Sequence, residues 1–289
     1  MANKELDQIS GVETTGHEWD GIKELNNPLP RWWLWTFYAT CIWALGYAIA
    51  YPAIPLITGN TAGVLGYSSR ADVADEIVKA KVAQADLLGK IESSSLEEIR
   101  KDPELLQFAV SGGRSAFLVN CVQCHGSGAA GSPGYPNLND DDWIWGGKLD
   151  DIYTTLKHGI RFQWDDDTRT SQMPAFGADE ILEKPQINDI AEFVRQLAGL
   201  DHDAEAASRG AEPYAENCAA CHKDTGQGDR EQGAPNLKDA IWHYGSSKAE
   251  IAQQISKPRH GVMPGWVNRL DDETLKKLTV YVHSLGGGE

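Results

Sequence analysis

From Trp32 to Ser69 the chain carries no charged side chain, and the first twenty of those residues, WWLWTFYATCIWALGYAIAY, are apolar almost without interruption. A helix of that length rises about 1.5 Å per residue and reaches about 30 Å, the thickness of a bilayer's hydrocarbon core. Trp32, Trp33 and Trp35 at one end and Tyr47 and Tyr51 at the other stand where aromatic belts form, and Pro52 and Pro55 end the helix. Residues 32–57 are therefore predicted as a transmembrane helix. The tail before it, 1–31, is polar, with six acidic and three basic residues, and lacks the basic start of a signal peptide. After a Gly- and Ser-rich linker, Thr58 to Arg70, the pattern changes period. Val73, Ile77, Ala80, Gln84, Leu87 and Ile91 fall three and four apart and predict an amphipathic helix. Ser95 and Glu98 then form a capping-box signature ahead of Leu96, Ile99 and the break at Pro103. Residues 58–107 read as linker and amphipathic helix, with no chemistry to offer.

The remainder is a repeat. Gly113, Phe117 and Asn120 return 97 residues later as Gly210, Tyr214 and Asn217, and Pro136-Asn137-Leu138 returns as Pro235-Asn236-Leu237. Phe193, Val194 and Leu197 match Tyr281, Val282 and Leu285 at an offset of 88, each set on one face of a terminal helix. One unit is written twice, and two copies are too few for a solenoid, so two small globular domains are expected, 108–200 and 201–289. The fold class is mainly α.

Each copy carries the same candidate chemistry. NCVQCHGSG, Asn120 to Gly128, and NCAACHKD, Asn217 to Asp224, place two cysteines on consecutive helical turns with a histidine directly after the second. Cys121 and Cys124, and likewise Cys218 and Cys221, are spaced to add across the two vinyl groups of a haem, with His125 and His222 facing the iron. Zinc ribbons also use C-x-x-C, but the 97 residues between the pairs far exceed the roughly 15 to 20 of a ribbon. Met173 follows Cys121 by 52 residues and Met263 follows Cys218 by 45, both immediately before a proline. A methionine is ordinarily core filling, but the chain has only three, one of them Met1, and these two occupy matching places. A His/Met axial pair suits electron transfer and raises a haem's potential, whereas oxygen or peroxide chemistry needs an open sixth position. Two covalently bound haem c groups are expected, with Met173 and Met263 as iron ligands beside the histidines. Spacing alone leaves open whether each methionine serves its own or the other domain's haem. A domain of about 90 residues barely buries enough surface to stand alone, so the cofactor is expected to complete each core. His158 and His260 read as loop histidines that bond backbone or a haem propionate. Trp143, Trp145, Trp164, Trp242 and Trp266 are expected to pack on haem edges or domain cores.

Charge and cysteine usage narrow the class further. With 42 acidic against 26 basic residues the net charge is -16, which disfavours nucleic acid and anionic membrane surfaces as partners. Four of five cysteines belong to the haem motifs, which rules out a disulfide framework. Cytochrome c maturation takes place on the outer side of the bacterial plasma membrane, so the haem motifs set the orientation: amino terminus in the cytoplasm, domains in the periplasm. Residues 59–289 hold 36 acidic and 23 basic residues, densest at Asp140–Asp142, Asp165–Asp167 and Asp271–Glu273. Asp271 and Asp272 stand where a helix N-cap is wanted and Asp142 where it would cap a turn at Trp143. Asp165, Asp166 and Asp167 show no such duty and read as part of a docking surface for a positively charged partner.

The chain resembles, from end to end, the di-haem cytochrome c subunit (subunit III) of cbb3-type cytochrome c oxidases in its single-span form. Thr14 to Trp33, TTGHEWDGIKELNNPLPRWW, and Gly134 to Gly147, GYPNLNDDDWIWGG, carry the resemblance, since the haem motifs are shared by any cytochrome c. It implies a subunit that is not an enzyme on its own. Such a subunit takes electrons from a donor cytochrome c and passes them towards the mono-haem and oxygen-reducing catalytic subunits, with the tail and span holding it in the complex. The alternatives are a cytochrome subunit of a membrane dehydrogenase and a di-haem peroxidase. The latter would need an iron with an open or readily vacated site.

Overall fold

The structure is a computed structural model describing residues 5–289. It divides into two units, 1–82 and 83–289. In the first, β1 (Thr14–Trp19) and β2 (Ile22–Leu25) pair antiparallel. Asp20 and Gly21 between them both have positive φ, 50° and 86°, the backbone of the tight turn that an Asp-Gly pair favours between strands. That pair was a hairpin signal within the polar tail. Helix α1 (Arg31–Ala50) follows, twenty residues in one rod with no buried residue. Thr36 and Thr40 donate their hydroxyls to the helix's own Trp32 and Phe37 carbonyls at 3.0 and 2.7 Å, which pairs these two polar groups within the apolar rod. Trp33 stacks on Phe37 and Tyr47 on Tyr51, each about one turn apart. Helix α2 (Ser69–Ala83) buries none of its residues.

The predicted amphipathic helix is broken at Gln84. Its second part, α3 (Ala85–Ser93), joins the second unit with α4 (Leu96–Lys101), α5 (Pro103–Asn120), α6 (Val122–His125), α7 (Leu149–His158), α8 (Lys184–Leu197), α9 (Ala204–Asn217), α10 (Ala219–His222), α11 (Lys248–Ser256) and α12 (Asp272–His283). The Ser95/Glu98 capping box forms as predicted, and Asp271 caps α12 through the Thr274 N–H. Ile91, Leu96 and Ile99 pack with Leu105, Ala109, Leu149 and Val280, so α3 and α4 cover α5 and α12. Lys276 secures this cover by donating to the Ile91, Glu92 and Ser94 carbonyls at the end of α3.

The repeat does not pack in the order in which it is written. The terminal helices of the two copies pair across the repeat. Helix α12 lies on α5, and α8 lies on α9. One core joins Phe117 and Cys121 to Ile152, Leu156, Leu275, Leu278, Tyr281 and Val282. The other joins Tyr214 and Cys218 to Ile187, Ile190, Val194, Ile251 and Ile255. The two glycines at matching places in the repeat make these crossings possible. A Cβ on Gly113 would stand 2.2 Å from the Lys277 carbonyl oxygen, and one on Gly210 would stand 2.1 Å from that of Asp189. The physical cause is the link between α8 and α9, residues 198–203, which is short enough to keep them neighbours. Arg195 braces it by donating to the Asp201 and Ser246 carbonyls. With α8 engaged, α5 takes the other terminal helix of the repeat, α12.

Candidate haem-binding site

The two Cys-x-x-Cys-His segments have the same local build. Helix α5 runs into Cys121, whose N–H bonds the Phe117 carbonyl, and α9 runs into Cys218, bonded to Tyr214 in the same way. Cys121 and Cys218 are buried while Cys124 and Cys221 are exposed, so each pair spans the edge of its core. Burial, with the neighbouring cysteine adding to it, pushes the thiols of Cys121 and Cys218 up to about 11. The one-turn helices α6 and α10 then end at Gly126 and Lys223, which carry φ of 78° and 64°.

Each histidine has its Nδ1 3.1 Å from a proline carbonyl, His125 to Pro136 and His222 to Pro235. This explains why the Pro-Asn-Leu element is repeated: the carbonyl accepts a hydrogen bond from Nδ1–H, fixes the ring, and leaves Nε2 as the free ligand atom. Burial holds both imidazoles below their ordinary pKa, against the opposing pull of the carbonyls. Gly131 and Gly228 carry the loops past these prolines with positive φ, 67° and 76°. A Cβ on either would meet backbone at 2.5 Å. Gly131 and Gly228 also donate their N–H groups to the His125 and His222 carbonyls, at 2.9 and 3.0 Å.

The methionines sit across the repeat. Met263 packs with the core of Phe117 and Cys121, together with Trp266, while Met173 packs with the core of Tyr214 and Cys218. Met263 pairs with Ile160 through two backbone hydrogen bonds of 2.9 and 3.0 Å, which hold its loop against the end of α7. His260 accepts the Met173 N–H at Nε2, 3.1 Å away, so it bonds backbone as expected. His158 instead faces Asp165, with Nδ1 3.1 Å from the carboxylate. Asp165 also accepts the Asp167 N–H, so the carboxylate that seemed free of structural duty in the sequence has one. Asp140 rather than Asp142 supplies the turn bond before Trp143. Of the five tryptophans, Trp143, Trp242 and Trp266 pack on the cores and Trp145 lies under the Arg169 guanidinium at 4.9 Å, but Trp164 is 73% exposed.

Each core thus offers a cysteine pair, an oriented imidazole and one thioether, the donor set of a c-type haem. Among the described residues two buried polar atoms lack a hydrogen-bond partner, Arg169 Nε and His243 Nε2, the latter 3.5 Å from Asp142 without hydrogen-bond geometry. A permanent cation such as Arg169 is the kind of donor that a haem propionate takes, so the residues present fit the group.

These features define a c-type cytochrome with two cytochrome domains behind one candidate membrane helix. Residues 110–198 match the cytochrome c family, 205–282 match cytochrome c oxidase, cbb3-type, subunit III, and 11–58 match the N-terminal domain of cytochrome oxidase-cbb3, FixP. The chain is 56% identical over 287 residues to the cbb3-type cytochrome c oxidase subunit FixP of Rhizobium meliloti (strain 1021), with 99% of each chain covered. It is 55% identical over 288 residues to subunit FixPc of Rhizobium leguminosarum bv. viciae, with both chains fully covered. Subunit CcoP of Cereibacter sphaeroides is 53% identical over 276 residues, covering 96% of this chain and 95% of its own. The chain belongs to this family of cbb3-type cytochrome c oxidase subunits.

Proposed function

We propose that the chain is the membrane-anchored di-haem cytochrome of a cbb3-type oxidase. In this reading it takes electrons from a donor cytochrome c and passes them to the mono-haem and catalytic subunits, and it reduces no oxygen itself. The tail 1–31 is cytoplasmic, α1 crosses the plasma membrane, and the haem domains lie in the periplasm. Cys121 and Cys124 hold one haem c and Cys218 and Cys221 the other. His125 and Met263 are the axial ligands of the first iron, and His222 and Met173 those of the second.

The observation that supports this reading best is the match of one oriented histidine with one methionine in each core. A haem held by both is closed to exogenous ligands and has a raised potential, which favours outer-sphere electron transfer over oxygen chemistry. The groups of this chain orient the imidazoles, fix the methionine loops and exclude water from the cores. The test is a pair of variants in a chain that keeps only the first haem, with Cys218 and Cys221 changed to Ser. Met263→Ala should remove the near-infrared methionine-to-iron band and admit carbon monoxide, while Met173→Ala leaves both unchanged. The reverse result would return the methionines to their own repeats.

A further inference from the structure

Arg161 stands between the two methionine-bearing loops. It lies just beyond α7, in the segment against which the Met263 loop pairs. Its φ is +52°, in the left-handed region that a residue with a side chain enters only under strain. Its backbone N–H donates to the Arg169 carbonyl at 2.7 Å. The guanidinium divides its donors between the two methionine loops: Nε donates to the Gly261 carbonyl at 2.7 Å, and Nη1 to the Ser171 carbonyl at 2.9 Å. Gly261 and Ser171 each stand two residues before a methionine, Met263 and Met173. The side chain is partly buried, and among the described residues it has no carboxylate partner within 4.0 Å. Burial pulls its pKa down, yet a guanidinium keeps its proton throughout the working range. The same pair of loops is joined once more, by the Met173 N–H to His260 bond.

We propose that Arg161 is a positioning residue for both axial methionines at once, one fork that sets the two loops relative to each other, so that the iron–sulfur bonds of the two haems loosen or hold together. This rests on the reading of Met173 and Met263 as ligands. The physical case is that a planar, permanently charged fork with fixed donor directions orders two carbonyls in one geometry. A lysine ammonium would reach one carbonyl without that geometry. The unpaired charge beside both loops also favours the less positive, reduced state of each haem. The strained backbone fits a residue placed for its side chain's reach rather than for local stability.

The experiment uses the full chain with both haems, in the purified complex. Arg161→Gln should weaken both near-infrared methionine bands together, raise the carbon-monoxide-reactive fraction at both haems by about tenfold, and lower both midpoint potentials. Arg161→Lys should reproduce the loosening while moving the potentials less. Arg259→Gln is the control, since its guanidinium serves the Tyr244 carbonyl and ring rather than a methionine loop, and it should leave bands and potentials unchanged. Unchanged bands in Arg161→Gln, or a change confined to one haem, would overturn the proposal. So would loss of haem from both Arg161 variants while Met173→Ala and Met263→Ala retain it, since Arg161 would then be a folding residue only. If the methionine variants themselves kept both bands, the ligand assignment would fail instead, and the two failures are thereby told apart.

Discussion

The exchange of terminal helices makes a quantitative prediction at Gly113. Replacing it with alanine adds one methyl group, which in an isolated helix would stabilise by about 1 kcal/mol. Here the new Cβ would stand 2.2 Å from the Lys277 carbonyl oxygen, 2.7 Å from its carbon and 2.6 Å from the Tyr281 Cβ. Two of these atoms are backbone, so no side-chain rotation relieves the contact, and α5 and α12 must separate by the better part of an ångström. Overpacking of this kind costs about 1–3 kcal/mol beyond the propensity gain. In a unit of 207 residues, about 2 kcal/mol corresponds to a fall in Tm of about 4–8 °C. Separation would act first on Phe117, Leu278 and Tyr281, and through them on the Met263 side. The assay is thermal unfolding of the holoprotein together with carbon monoxide binding to each haem. Gly113→Ala should lower Tm by that amount and open the haem at His125, whereas Gly210→Ala should do the same for the haem at His222 by parting α9 from α8. A Gly113→Ala protein as stable as the parent would show that α5 and α12 do not cross at this distance. Opening of the haem at His222 by that variant would refute the pairing itself.

Three further outcomes are expected. Glu192, buried on α8, is pushed up by burial, but the Lys248 ammonium 2.9 Å away, the Asp203 N–H and Arg195 outweigh this and hold its pKa below the usual 4.5. The folded state therefore binds its proton less readily than the unfolded chain, and this stabilisation is present above about pH 4.5 and lost as pH falls through the lowered value. Glu192→Gln should cost about 1–3 kcal/mol at pH 7 and flatten the acid limb of a denaturant-monitored stability profile. Gly228→Ala, with a Cβ 2.5 Å from the Ala234 carbonyl oxygen, should displace the Pro235 carbonyl that orients His222. Haem-stained gels and electron paramagnetic resonance should then show a perturbed second haem beside an unchanged first one. Electron entry from a basic donor cytochrome should slow steeply with ionic strength, because attraction of this kind is screened over roughly 8 Å at physiological salt. Neutralising the exposed Asp166 and Asp167 should flatten that dependence in stopped-flow traces, while a salt-independent rate would leave these residues as solvated surface.

The sequence by itself determined everything that depends on local spacing. The uncharged run after Arg31 specified α1, a helix long and apolar enough to cross a bilayer. The Cys-x-x-Cys-His segments were legible as candidate attachment sites, because both cysteines and the histidine lie within one short helical stretch. The caps at Ser95 and Asp271 were legible for the same reason, and the Asp20-Gly21 turn was written there too, in a stretch that composition marked only as polar. The repeated prolines and glycines were visible as a pattern, but their purpose was not. A carbonyl that orients an imidazole eleven residues earlier, and a bare Cα where two backbones meet, exist only once the chain is folded.

Tertiary structure alone decided which half of one repeat completes the other. Two amphipathic helices, α8 and α12, carry matching apolar positions in the repeat, and periodicity cannot say which core each closes. The choice follows from chain connection and backbone contact: the short link from α8 to α9, the crossings at Gly113 and Gly210, and the pairing of Ile160 with Met263. The environment of Asp165 was hidden in the same way, since its bond to His158 depends on how the chain turns after α7. Spacing along the chain reports what a segment can do, and only the fold brings together the segments that do it jointly.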